Sequence, residues 1–236
     1  MSRILTLTVA LSGAFVLATT TGACTKEKSK KRAPAASKTT TNPATTKTPN
    51  QPAGQDVKPA SGASILKEAA GAYEVDPVHS AAVVSVKHFG VSYLYVRFNK
   101  VTGNFKLDTQ AEKSTAELHI DVDSLFSANK KRDVHLKSPD FLDAKQFPSI
   151  DFKSTAIASA GVNRYKVTGN LTLHGVTKPV TVNLEHVGAG VDPYKKFRTG
   201  FEGKVTIKRS DFGMKFMPGA IGDNVRIILA FEGVRS

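Results

Sequence analysis

The sequence predicts an all-β, antiparallel domain behind an export signal and a long segment that cannot fold alone. Three observations carry this. Apolar and polar residues alternate with period two through most of the chain after Tyr73, Gly-rich turns punctuate the alternation, and residues 25–63 lack the apolar content a core requires.

The alternation can be read strand by strand. Leu118, Ile120 and Val122 share one face, against Glu117, His119, Asp121 and Asp123 on the other. Ile150 and Phe152 alternate with Asp151 and Lys153, and Leu171 and Leu173 with Asn170, Thr172 and His174. Val180, Val182 and Leu184 oppose Thr181, Asn183 and Glu185; Val205 and Ile207 oppose Lys204, Thr206 and Lys208. Val225, Ile227, Leu229 and Phe231 form the last such face. One wet and one dry face per strand indicates an antiparallel sheet, because strands of a parallel sheet are buried on both sides. His174-Gly175 and Gly188-Ala189-Gly190 read as turns, which gives a closed or sandwiched sheet without long exposed edges. The exception runs from Ser124 to Phe147. There Ser138-Pro139-Asp140 has the form of a helix start, so short helices are expected in an insert near residues 129–145, covering one end.

The front end divides at Cys24. Arg3 and the apolar run Ile4 to Ala18 form a secretory signal over residues 1–23, with Thr21-Gly22-Ala23 as the small residues before the cut. A helix of about fifteen residues rises only ~22 Å, short of the ~30 Å hydrocarbon core. Cys24 is the only cysteine, so no intrachain disulfide can form. Small-small-Cys after such a run is the pattern of a lipobox, which would make Cys24 the lipidated first residue of the mature protein. The plain alternative is an ordinary cut after Ala23 that leaves a free thiol. Two or three acyl chains, at ~0.8 kcal/mol per buried methylene, would hold the protein on a membrane stably. Residues 24–64, rich in Lys, Thr, Pro and Ala, are expected to be a disordered tether reaching ~35 Å as a coil, with the folded domain at 65–236.

The net charge is +13, of which Cys24 to Ser64 contribute +6, from eight basic and two acidic residues. Half the basicity therefore lies outside the fold. Lys26, Lys28, Lys30, Lys31 and Arg32 follow the anchor directly, where anionic headgroups attract each by ~1 kcal/mol, though a solvated, self-repelling linker reads the same way. Export and the lack of interleaved aromatics argue against nucleic acid.

Chemistry-bearing motifs are few. There is no nucleophile elbow or phosphate loop, and His79, His88, His119, His135, His174 and His186 show no metal-ligand spacing. Arg132, Asp133 and His135 form the most enzyme-like cluster, but three such residues beside a helix start more often make caps and local salt bridges. Arg209-Ser210-Asp211 reads as a strand end bonding free backbone groups. His119 falls on a solvated face, and His174 is expected to hold a turn. No catalytic residue, metal or covalent cofactor is assigned, and the protein is read as not an enzyme.

Eight segments in this order resemble the YceI-like family of secreted bacterial proteins. They are YEVDPVHS from Tyr73, VKHFG from Val86, FNKVTGNF from Phe98, RDVHLKSPDF from Arg132, FPSIDFKST from Phe147, GNLTLHGVTKPV from Gly169, RSDFGM from Arg209 and GDNVRI from Gly222. The resemblance implies a lipocalin-like antiparallel barrel of about eight strands enclosing a polyisoprenoid, such as a quinone or polyprenyl phosphate, for carriage, storage or sensing. Physics supplies a rationale: each exposed methylene of an isoprenoid tail costs ~0.8 kcal/mol in water, so a carrier must enclose it. Leu118, Ile120, Val122, Phe152, Leu171, Leu173, Val205, Ile207, Ile227 and Leu229 are the cavity-facing candidates. Period two identifies their face and is silent on whether the interior is hollow or filled. The rival reading is a filled barrel acting as an adaptor, presenting Lys130-Lys131-Arg132 or Lys195-Lys196-Phe197-Arg198 to an acidic envelope polymer or protein. The expected place is the periplasm or cell envelope. Lys26 rather than Asp after Cys24 favours the outer membrane in a two-membrane cell, and the sequence leaves a homodimer open.

Overall fold

The computed structural model describes residues 67–236; the signal, Cys24 and the segment to residue 64 lie outside the described residues. Eleven strands form: β1 (Gly71–Val75), β2 (Ala81–His88), β3 (Ser92–Phe98), β4 (Val101–Leu107), β5 (Thr115–Asp121), β6 (Leu125–Phe126), β7 (Ser149–Ser159), β8 (Arg164–Leu173), β9 (Val176–Val191), β10 (Phe197–Lys208) and β11 (Ile221–Arg235). All pairings are antiparallel, and β1-β4-β5-β7-β8-β9-β10-β11 closes back on β1 as an eight-stranded ring. β2 continues β1 along the edge of β11, and β3 runs into β4, so each pair is one broken barrel strand. The expected barrel of about eight antiparallel strands is the fold observed.

Alternation places side chains as the period required. In β8, Tyr165, Val167, Leu171 and Leu173 are buried while Arg164, Lys166 and Asn170 are exposed. The β8–β9 turn is the two-residue hairpin His174-Gly175, with φ of 51° and 73°, the conformation in which glycine carries least strain. A Cβ at Gly175 would stand 2.5 Å from the Phe147 ring, so only glycine fits there. His174 Nδ1 lies 3.1 Å from the Phe212 carbonyl oxygen and its ring packs edge-on against Phe147, which ties the hairpin to the two long loops of that end. Gly188-Ala189-Gly190 does not turn. It lies inside β9, and the pairing with β10 shifts register between Gly200 and Phe201, a bulge of the kind that lets a sheet curl shut.

The two ends differ. At one, Tyr73 stacks on Phe105 at 5.0 Å, and Phe201 and Phe231 meet Phe105 edge-on at 5.7 and 5.6 Å. This aromatic plug leaves no room for a side chain at Gly233, where a Cβ would approach Phe105 to 2.3 Å. At the other end, β3 pairs beyond the ring only with β6, through Arg97 and Phe98, and the β5–β7 ladder stops at Asp121 and Ser149. The insert covers part of this end. Its helix α1 (Lys130–Leu136) starts at Asn129, whose side chain accepts from the Arg132 N–H. The helix therefore precedes Ser138-Pro139-Asp140; there Ser138 instead offers its carbonyl to the Phe141 and Asp143 N–H groups in a turn. Leu136 and Leu142 pack against Ala82, Val96, Phe98 and Leu125. No helix among the described residues is long and apolar enough to cross a membrane.

Candidate ligand cavity

Inside the ring lies a cavity of about 380 Å³, within the ~300–1,000 Å³ of small-molecule sites. Its lining is almost wholly apolar. Leu118 and Ile120 enter from β5, Phe152 from β7, Leu171 and Leu173 from β8, Val205 and Ile207 from β10, and Ile227 and Leu229 from β11. Val122, placed with them by alternation, does not line it. β5 ends at Asp121, and Val122 opens a 3₁₀ turn in which its N–H bonds the Pro148 carbonyl, so the side chain is buried in the wall packing instead. The interior is hollow.

Val84, Val86 and Leu94 of the β2–β3 hairpin also line the cavity, and the same period-two alternation marks their inward face. Leu136, Phe141 and Leu142 come from the insert, where no sheet period marks an inward face. The lining reaches the surface at exposed His135 and Met217 of the loop end, which forms the mouth, and also at exposed Thr115 at the start of β5, toward the aromatic plug.

The charged and imidazole lining, His88, Arg132, His135 and Arg209, sits toward that mouth, while Ser114 and Thr115 lie at the plug end. Arg209 is buried, and its guanidinium donates to the carbonyls of Gly222, Met214 and Ile221 at 3.0, 2.9 and 3.1 Å. Burial pushes this group down from its ordinary value, with nearby Asp223 opposing. Asp223 accepts from the backbone and hydroxyl of Ser210, so Ser210 rather than Asp211 does the local bonding. Arg132 donates through Nε to Ser127 Oγ at 2.9 Å and through Nη2 to the Ser127 carbonyl, while the Asp133 carboxylate accepts from both the Ser127 N–H and hydroxyl. His135 turns away to Asp140, 2.8 Å from Nε2, and packs edge-on against Phe141 and Phe216. The enzyme-like trio thus divides into two local bonding sets rather than one converging on a reacting atom. His119, expected to be solvated, lies 2.6 Å from Asp151 across the β5–β7 ladder.

A second polar cluster sits on the outer wall. Arg198 contacts Asp192 through Nε at 2.6 Å, and Asp76 and Glu232 through Nη1 at 2.7 and 2.6 Å. Burial alone would raise the Asp76 carboxyl, but hydrogen bonds from Arg198 and His79 outweigh it and hold the group far below the ordinary range. Asp76, His79 and Glu232 are close enough together for a metal, yet a guanidinium already stands between the carboxylates where a cation would sit. The same contacts neutralise the most prominent charge of the run Lys195 to Arg198.

Comparison with known proteins agrees with this architecture. Residues 73–233 match the model of the YceI-like domain. A UPF0312 protein of Pseudomonas aeruginosa is 39% identical over 166 residues, covering 69% of this chain and 86% of that one. A UPF0312 protein of Shewanella denitrificans is 38% identical over 180 residues, covering 74% and 94%. Among solved structures, BcnA of Burkholderia cenocepacia aligns with a TM-score of 0.61 at 30% identity, covering 67% of this chain and 98% of that one. A polyisoprenoid-binding domain from Saccharophagus degradans aligns at 0.57 and 15% identity, covering 70% and 98%, a likeness of fold. With the family model spanning the whole ring from β1 to β11, the chain belongs to the YceI-like family.

Proposed function

We propose that this protein is a non-catalytic carrier that encloses the tail of an amphiphilic lipid, an isoprenoid such as a quinone or polyprenyl phosphate, for carriage, storage or sensing in the cell envelope. The observation that supports it most is the cavity itself: hollow, lined almost wholly by apolar side chains, and reaching the surface at the loop end. Ten methylenes withdrawn from water there would contribute ~8 kcal/mol, part of which offsets the cost of immobilising the chain. Arg132 and His135 lie at the mouth, where a headgroup would emerge. The Saccharophagus domain of the same fold is described as polyisoprenoid-binding, which agrees with this choice of ligand. Leu118, Ile120, Phe152, Leu171, Leu173, Val205, Ile207, Ile227 and Leu229 are the proposed tail contacts. Cys24 is the proposed anchor, lipidated after export and joined to the barrel by residues 24–64.

The test is the mass of protein purified from bacterial cells, taken under native and denaturing conditions, with extraction of whatever leaves. A species released only on denaturation, carrying an isoprenoid fragment pattern, supports the proposal. An apo mass that stays unchanged after incubation with quinones and polyprenols sinks it and moves the reading to a surface adaptor, whose binding would weaken with salt.

A further inference from the structure

The rim of the mouth carries a feature that lipid enclosure does not require. The β2–β3 hairpin turns through Phe89-Gly90, and Phe89 is 58% exposed, with Val91 beside it at 84%. Across from it, the loop after β10 presents Met217, 39% exposed and also part of the cavity lining. Phe89 and Met217 both have φ of 49°, a left-handed conformation that bulky side chains rarely adopt and that Gly or Asn would fill at less cost. Apolar residues are therefore held outward at strained tips, against both local preference and solvation.

The rim is one connected surface. The Phe89 N–H donates to the Ala220 carbonyl at 2.7 Å, joining the hairpin to the loop. Phe216 of the same loop packs against His135 of α1 at 5.4 Å, joining the loop to the helix. The same elements carry Lys87 in β2, Lys130 and Lys131 at the start of α1 and Lys215 beside Phe216, all exposed and without an ion-pair partner among the described residues. Asp140 of the insert and Asp223 of β11 are bonded to His135 and Ser210. Exposed apolar tips with unpaired lysines on neighbouring residues match a bilayer surface, where methylenes accept the tips and anionic headgroups accept the charges.

We propose that this rim docks on an anionic lipid bilayer, with Phe89, Val91 and Met217 inserted among the headgroups so that the cavity opens directly onto the membrane. The inference rests on the proposed lipid cargo, which would then pass between bilayer and barrel without crossing water. It assigns the contact to the mouth and not to the opposite end, where Tyr194 is 83% exposed in the β9–β10 turn.

The chain has no tryptophan, so an introduced one reports its own surroundings. Phe89→Trp and Tyr194→Trp would be made in the full chain and mixed with vesicles of phosphatidylglycerol and brominated phosphatidylcholine. Any attachment through the N-terminal segment acts on both variants alike. The expected result is a blue shift and at least about twofold quenching of the Phe89→Trp emission, since brominated acyl chains meet only residues at headgroup–acyl depth. Tyr194→Trp should stay unquenched. Replacing Lys87 and Lys215 by Gln should weaken vesicle affinity by about fivefold each at low salt. Should Phe89→Trp disturb the hairpin, Val91→Trp reads the same rim. Equal quenching at both ends, quenching at Tyr194→Trp alone, or none at either rim position overturns the proposal. Native mass of the same samples separates the two readings: a lipid-loaded protein with an unquenched rim refutes docking and leaves the cargo intact.

Discussion

Filling the cavity from its own wall should stabilise the empty protein and weaken its ligand at once. Val205 lines the cavity opposite Ile227 on the neighbouring strand, with Leu171, Ile207 and Phe212 close by. Val205→Phe adds four carbons, and their removal from water contributes ~3 kcal/mol at ~0.8 per carbon. Fixing the ring in one rotamer reduces the net gain to ~1–2 kcal/mol. For a domain of this size that raises the melting midpoint by about 3–6 °C. The same ring occupies space a tail would use, so affinity for a short isoprenoid should fall by ~3 kcal/mol, about a hundredfold. Thermal unfolding of the delipidated protein and titration with a short-chain quinone read the two effects separately. A filled interior predicts the opposite pair: overpacking would destabilise by ~1–3 kcal/mol and binding would not respond. Lower stability with unchanged affinity would refute the hollow barrel.

Other outcomes follow from the surrounding packing. Gly233→Ala drives a methyl into Phe105 and should cost ~1–3 kcal/mol, seen as a lower urea midpoint. Arg198→Met leaves Asp76, Asp192 and Glu232 facing one another without their cation. Because Asp76 is held below its ordinary value of 3.8, its contribution is present above that pH and disappears as pH falls through the depressed folded value. The variant loses the Arg198 hydrogen bond, the largest of those that depress it, so its acid unfolding should begin at higher pH than in the parent. His186, buried against Phe201 and 2.8 Å from Thr199 Oγ1, is pushed by burial below its ordinary 6.5. The fold therefore prefers the neutral ring, and stability should decline as pH drops below about 6.5, by at most ~1.4 kcal/mol per unit. His186→Phe should remove that decline; equal slopes for the two proteins between pH 7 and 5.5 would contradict the assignment.

The wall of the cavity was legible because a strand states its two faces in its own residues. Leu171 and Leu173 must point the same way wherever β8 goes, and the same holds for Val205 with Ile207. Val122 failed at a strand end, where a 3₁₀ turn breaks the period that Leu118 and Ile120 follow. The insert was legible as helical but not in position. Ser138-Pro139 begins a turn as readily as a helix, and the working cap was Asn129 with its bond to the Arg132 N–H. Glycines at 188 and 190 marked an irregular stretch of sheet rather than its end. What no local pattern could show were partners far apart in sequence. His119 finds Asp151 only when β5 lies beside β7. The run ending at Arg198 looks like free positive charge until the fold delivers Asp76 and Glu232 to it.

The barrel is held shut in two different ways along its height. Near the aromatic plug the strands are joined almost all round by main-chain ladders, the exception being β5 and β7, where beyond Glu117 and Lys153 the Ala116 N–H bonds Ser154 Oγ instead. Nearer the mouth, the stretch between β3 and β7 is bridged instead by Leu136, Leu142 and their contacts with Val96 and Phe98. Parting such a seam breaks van der Waals contact but no backbone ladder. If the barrel carries the proposed lipid, the side-chain seam near the mouth is the part that would yield to a bulkier guest. Sequence change confined to residues 127–148 could then retune what the protein holds without disturbing the register of a single strand pair.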